Sequence, residues 1–435
     1  MRDILIMAIV LAVSLYALRQ PWIGVLAWTC LSLMNPHEQF GYAAQTWPVA
    51  SIVGGSTLVG ALFTRDRQNP MLGFPVWMTV VLAIWVTVTL AFSLYFDESL
   101  PLWIRSMKIW LMLLVTLALI DNRAKLDALI WVIVVSIGFY GVKGGVFTLA
   151  TAGNHRVWGP GGFIGGNNEV ALALIMIIPM MRYLQLQSKR VWVRRSLTFA
   201  MALCAVTTLG TYSRGALLGI AAAAMFLWLK GGKKVIWGVL IMVLGTAMLS
   251  FMPDAWWARM NTIQSYGVDE SAMGRINAWW NAWNLARDRV FGGGFMIYFP
   301  EVFQRYAPDP NDVHAAHSIY FQMLGEHGMI GLLIFLLIGV GTWHTASQSI
   351  KLGRRSTDDR WCADLGSMVQ VSMIGYAVAG AFLSLAYYDL PYDLMAITVM
   401  ALHFARLRRP VPQRFPFKTP AVTVGAGTSQ LPSPP

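Results

Sequence analysis

Arginine and histidine are the residue types through which this 435-residue sequence could do chemistry. Arg214 stands in Thr211-Tyr-Ser-Arg-Gly-Ala216, between two apolar runs, and Arg275 opens Gly274-Arg-Ile-Asn277. A planar guanidinium can hold two oxygens of an anionic group at once, so each is a candidate for binding an anionic ligand. Arg156 and Lys143 are weaker candidates for the same anion, and Arg105 and Lys108 add to the positive field near them. His314 and His317 are one turn apart if Asp312-Val-His-Ala-Ala-His-Ser-Ile-Tyr320 is helical. A neutral imidazole at a water boundary can take a proton from a hydroxyl, which makes either a candidate general base. Plainer readings stand beside these: an arginine at a helix end snorkels to headgroups, and a histidine there bonds a loop carbonyl. Asp309 or Asp312 could join the two histidines on a metal, but neither an HExxH pattern nor a cysteine partner accompanies them, so no metal and no cofactor are expected. Gly292-Gly293-Gly294 lacks the following GK[ST] of a phosphate loop and reads as a hinge before Phe295.

These residues have to be positioned by apolar elements. The chain is 56% hydrophobic and 12% charged, with mean hydropathy +0.55. Soluble domains carry roughly 25% charged residues. The apolar residues come in runs of about 15 to 25, the length that crosses a bilayer, and without period-two alternation the runs predict helices rather than a barrel. The expected fold is all-α: a polytopic transmembrane helical bundle of about 12 transmembrane helices. Pro21 divides the first two short runs, which are one span or two. The first run continues without a small-residue cleavage site and reads as an anchor. The net charge of +12 is spread as short clusters between apolar runs, which excludes nucleic acid as the main partner. Those clusters (Arg65 and Arg67, Arg123 and Lys125, Lys189 to Arg195, Lys230 to Lys234, Lys351 to Arg360, Arg406 onward) alternate onto one side, which becomes the cytoplasmic one. The organisation that follows is N-terminal transmembrane helices over 1–252, one large periplasmic loop over 253–316, C-terminal transmembrane helices over 317–409 and a disordered cytoplasmic tail over 410–435. Cys30, Cys204 and Cys362 have no CxxC spacing and suggest neither disulfide nor zinc.

Within the loop the spacing predicts two helices and a linker. In the first, Ile276, Trp279, Trp280 and Trp283 recur at three and four residues, which would lay the Trp side on the membrane surface. Ser271 is its expected N-cap, and Arg275 then falls in the first turn, where a cation opposes the helix dipole unless an anion lies near. The second is expected to start near Asp312 and run into the membrane.

Gly159-Pro-Gly-Gly-Phe-Ile-Gly-Gly-Asn-Asn-Glu169, Tyr212-Ser-Arg-Gly215, Gly274-Arg275 and His317-Ser-Ile-Tyr-Phe-Gln-Met-Leu-Gly-Glu-His-Gly-Met-Ile-Gly331 together resemble the bacterial O-antigen ligase superfamily, which also holds O-antigen polymerases and protein O-oligosaccharyltransferases. Leu33-Met-Asn-Pro-His37 and Phe139-Tyr-Gly-Val-Lys-Gly-Gly145 resemble its O-glycosylation ligase branch associated with exosortase systems, and the likeness runs to about Arg409. The resemblance implies a metal-independent glycosyltransferase that moves a glycan from undecaprenyl diphosphate to an acceptor hydroxyl, in the ligases that of a lipid A core sugar, at the periplasmic face of the inner membrane. It implies His317, Arg214 and Arg275 as catalytic, with Glu326, Gly328 and Gly331 completing the motif after the histidine; Asn167, Asn168 and Glu326 are expected on the substrate side, as is His314, which has no match in the family motif. Many members have His-Asn where this chain has His317-Ser318. Two competitors remain. A metal-dependent polyprenyl-phosphate glycosyltransferase would use an acidic residue in the first outer loop, such as Glu38 beside His37; a lipid-carrier flippase would spread polar residues along many spans with repeat symmetry.

Overall fold

The computed structural model describes residues 2–41, 45, 47–231, 234–261 and 270–407. The tail over 410–435 lies outside them, as do Lys233 and the side chain of Ser271. Among the described residues every regular element is a helix. In chain order they are α1 (Arg2–Arg19), α2 (Pro21–Met34), α3 (Pro36–Phe40), α4 (Val49–Phe63), α5 (Phe74–Ala91), α6 (Phe96–Leu119), α7 (Arg123–Ala150), α8 (Asn167–Gln187), α9 (Val191–Gly210), α10 (Arg214–Lys230) and α11 (Lys234–Ser250). The long loop then supplies α12 (Asp254–Asn261), α13 (Glu270–Asp288) and α14 (Pro300–Tyr306), and the chain ends with α15 (Ile319–Gly353), α16 (Arg360–Ala379) and α17 (Asp389–Leu407).

Each apolar run read from the sequence lies on its own helix, because a segment in lipid must close its backbone hydrogen bonds internally. Among the described residues six helices are long and apolar enough to span a membrane: α5, α6, α7, α8, α15 and α16, the last continued by a short turn to Phe382. Helices α2 and α4 are shorter apolar ones. The first two runs are separate helices, with Pro21 at the first position of α2, where its missing N–H costs nothing. Helix α8 is the axis of the bundle, buried along most of its length against α7, α9 and α16, while exposed Phe63, Ile84, Val135 and Phe199 coat the outside. A bundle with its apolar side chains turned outward along long helices is a multi-pass membrane protein.

Helix α13 packs on the protein through Asn277, Ala278, Asn281, Ala282 and Leu285 and leaves Trp280 and Trp283, on the side expected to meet the membrane surface, exposed. Small residues on the packed face let two backbones approach, and a Cβ added at Gly325 of α15 would stand 2.9 Å from the Ala282 Cβ. The second loop helix starts at Ile319 rather than near Asp312, so His314 and His317 are not a helical turn apart. Side chains of α13 capture the backbone that a helix would need. Asn277 Nδ2 donates to the carbonyls of Asp309 (2.8 Å) and Asp312 (2.9 Å), and its Oδ1 accepts from Asp309 N–H (2.9 Å). Trp279 Nε1 donates to the Ala316 carbonyl at 2.7 Å.

Candidate active site

Helix α15 is two helical segments joined at Gly328, whose φ of 71° and ψ of −175° only glycine adopts without strain. The break deprives the preceding turn of its ordinary donors. The triple glycine supplies replacements: Gly293 N–H donates to Gly325 O and Gly294 N–H to Glu326 O, both at 2.9 Å, while Trp85 Nε1 donates to His327 O at 2.9 Å. Gly293 O in turn accepts from Leu94 N–H at 2.9 Å. Gly292-Gly293-Gly294 is therefore a bonded strap across the broken helix and not the hinge its composition suggested.

His317 precedes this segment with φ 42°, a left-handed conformation that non-glycine residues keep only where their surroundings impose it. Trp279 holds the carbonyl just before it. Burial, then the positive charge of Arg275, then His314 lower the His317 imidazole to about 4, so it is neutral across the physiological range. Arg275 lies on α13 in the second turn, since that helix begins at Glu270. Its charge also acts on Glu169, in the first turn of α8. The Glu169 carboxylate folds back over the start of its own helix, where a Cβ at Gly166 would be 2.0 Å from Oε2. His314 pairs its Nδ1 with Asp312 Oδ1 at 2.6 Å and lies against Gly274, the residue before Arg275.

Arg214 is the first residue of α10, behind Ser213, whose hydroxyl caps Ala216 N–H at 3.1 Å. Asn167 fixes this turn from α8 by donating Nδ2 to the Thr211 carbonyl at 2.8 Å, so its amide serves the scaffold. Asn168 follows it, half-buried. Gly215 abuts Phe382 and Gly380 abuts Ile319, which brings the starts of α10 and α15 against the end of α16. Arg156 lies over the rings of Tyr212 (5.6 Å) and Trp158 (5.9 Å), and Val157 N–H donates to Gly210 O at 2.9 Å. Arg156 thus stands beside the Arg214 turn. Lys143 does not join it: it is exposed on α7 along with Phe139, Val146 and Phe147, away from the glycines that pack on α9.

Glu326 is not on the open side of the site. It is 1% exposed, and Tyr387 donates to its Oε2 at 2.5 Å. The same Tyr387 hydroxyl lies 2.6 Å from His327 Nε2, and His327 Nδ1 lies 2.6 Å from Thr89 Oγ1. This network ties α5, α15 and the segment before α17 together under the break. Its members other than Glu326 escaped the sequence reading, because isolated Thr and Tyr in apolar runs carry no pattern. Glu169 was missed as a neighbour of Arg275, although an acidic residue at the third position of a helix is a sequence-visible cap. Among the described residues no three His, Cys, Asp or Glu side chains gather so as to hold a metal ion, and the His314–Asp312 pair gains no third ligand.

Arg275 is near enough to both His317 and Glu169 for its charge to act on them, and the start of α10, with Arg214 and Arg156 beside it, packs at the same end of the bundle as the starts of α8 and α15. No curated protein matches the chain. Residues 1–189 match a family of unknown function, which covers α1 to α8. Residues 199–336 match the O-antigen ligase family, a stretch that includes Arg214, Arg275, His317 and Glu326. The chain is thus a multi-pass membrane protein in which residues 199–336 are similar to the O-antigen ligase family.

Proposed function

We propose that the protein is a ligase that moves a glycan from undecaprenyl diphosphate to a sugar hydroxyl of a lipid A core, at the periplasmic face of the inner membrane. The observation that supports this most directly is the grouping of His317 and Glu169 around Arg275, with Arg214 at the neighbouring helix start. The acceptor oxygen attacks the anomeric carbon while the bond to the diphosphate oxygen breaks. His317 takes the acceptor proton, and the diphosphate leaves with the electron pair. Charge gathers on that leaving group, which Arg214 and Arg275 hold through paired N–H donors. Glu169 keeps Arg275 aimed across the gap between α13 and α8. Attack from the face opposite the leaving group inverts the anomeric centre, in contrast to a double displacement through a carboxylate nucleophile.

The test is transfer in vitro with purified protein and an undecaprenyl-diphosphate glycan, offered a lipid A core, a peptide and a second repeat unit. Transfer to the core with inverted configuration, unaffected by EDTA, is the expected result. Preference for the peptide or the repeat unit would make the protein an oligosaccharyltransferase or a polymerase. Movement of the donor across vesicles without any transfer would make it a flippase.

A further inference from the structure

A second group of polar side chains lies on the other side of the glycine-rich loop from Glu169. Asn35 ends α2 with φ 46° and donates Nδ2 to the Gly161 carbonyl at 3.4 Å. The loop presses on α3 so closely that a Cβ at Gly161 would meet Glu38 Oε2 at 1.9 Å. Two residues on, Phe163 carries the Arg105 guanidinium on its ring at 3.6 Å and approaches the Tyr388 ring at 5.9 Å. Arg105 feels the charges of Asp389 and Glu38, yet it forms no hydrogen bond or ion pair with either. Asp389, 6% exposed, gives one oxygen to Ser32 and leaves Oδ1 without a partner. The Tyr388 hydroxyl, on a residue 1% exposed, and His37 Nδ1 are likewise unpartnered.

Glu38 on α3, Arg105 on α6 and Tyr388 just before α17 therefore lie around one loop, Asp389 follows Tyr388, and some of their polar atoms are unsatisfied, although a buried polar atom without a partner costs about 1 to 3 kcal/mol. Such a set fits an absent ligand. Glu38 and Asp389, with Asp393 beside Asp389 as a third acidic group, disfavour an anion, and the Arg105 guanidinium whose charge they feel disfavours a cation. A neutral polyol satisfies both kinds of group, because each sugar hydroxyl donates to a carboxylate and accepts from Arg or Tyr. We propose that His37, Glu38, Arg105, Tyr388 and Asp389 form a sugar-binding site that holds one residue of a transferred or accepting glycan. This extends the transfer reading above and rests on it for the sugar's being a substrate. The glycine-rich loop, with the Arg275 neighbour Glu169 at its far end, then spans the distance between sugar recognition and chemistry.

The experiment measures binding apart from turnover. Full-length protein in nanodiscs is titrated by saturation-transfer NMR with methyl glycosides of glucose, galactose and N-acetylglucosamine, and separately with citronellyl diphosphate, which carries no sugar. Asp389→Asn, Arg105→Gln and Glu38→Gln are compared with wild type after their melting temperatures confirm folding. Loss of one charge-assisted hydrogen bond predicts a glycoside affinity about tenfold weaker, with diphosphate binding unchanged. In the transfer assay the same variants raise KM for one sugar substrate and leave kcat nearly intact; donor KM or acceptor KM tells which sugar is held. Glycoside binding that is absent from wild type, or equal in all variants, overturns the site. Equal loss of glycoside and diphosphate binding overturns it as a separate sugar site. Glycoside binding lost in the variants of a protein that transfers nothing would leave the site standing and sink the ligase reading instead.

Discussion

At the scale of the residue, His317 is governed by its surroundings more than by its type. A solvated imidazole titrates near 6.5, whereas burial, Arg275 and His314 bring His317 to about 4. The active form of a base is the unprotonated one, so lowering its pKa moves the acid limb of the rate profile downward. The kcat/KM profile, which reports the free enzyme, is expected to fall only near pH 4 and to stay level through neutrality. A limb near the solvated value would show that the imidazole meets water and not Arg275. His317→Ala should slow transfer about a hundredfold to ten-thousandfold while donor binding persists. His314→Ala should be milder, because that ring is half-exposed and already paired with Asp312. The arginines carry a separate prediction: Arg214→Lys and Arg275→Lys should fail nearly as badly as the alanine variants, since an ammonium offers one point charge where two oxygens are to be held. Most activity retained by either Lys variant at normal expression would rule out paired diphosphate binding there.

At the scale of the element, the unusual feature is the broken helix beneath His317. A side chain at Gly328 meets the Val290 carbonyl at 2.1 Å and a dihedral region that costs about 1 to 3 kcal/mol even without a clash. Gly328→Ala is therefore expected to lower the melting temperature by several degrees and to abolish transfer. Gly339→Ala is the control, because on the same helix its Cβ meets nothing within 4 Å, and alanine stabilises a helix by about 0.5 to 1 kcal/mol over glycine. If Gly328→Ala melts with wild type, the strap of Gly293 and Gly294 is not what holds the segment. The strap also explains why a run of three glycines here is rigid. Gly294 has φ 88° and lies so near Ser93 that a Cβ would be 2.3 Å from that side chain, while its N–H caps a carbonyl of the break.

At the scale of the molecule, the basic clusters and the candidate site lie at opposite ends of the helices. Positive loops tend to stay cytoplasmic, and the proposed function accordingly has the site facing outward. In a protein whose native cysteines are replaced by serine, Glu301→Cys should react with an impermeant thiol reagent in intact cells, and Arg354→Cys only after lysis. The reverse pattern would place the catalytic groups in the cytoplasm and remove the proposed donor from reach.

The sequence by itself determined the helices, because in lipid a backbone has almost no other way to satisfy its N–H and C=O groups, and the apolar runs therefore map directly onto them. It also offered Arg214, whose charge is costly near a membrane, and, through the family resemblance, Arg275 and His317 as candidates. Only the tertiary structure decided which of them meet. Nothing local pairs Arg275 with Glu169 or stacks Arg105 on Phe163, since these contacts join segments that periodicity treats as independent. The sequence pattern failed where long-range partners outbid the local rule. Asn277 and Trp279 hold the carbonyls before His317 and delay α15, and the contact of Ala282 with Gly325 seats α13 on α15. Close backbone approach and captured carbonyls are gained only when two distant segments meet, so no window of sequence carries their signature.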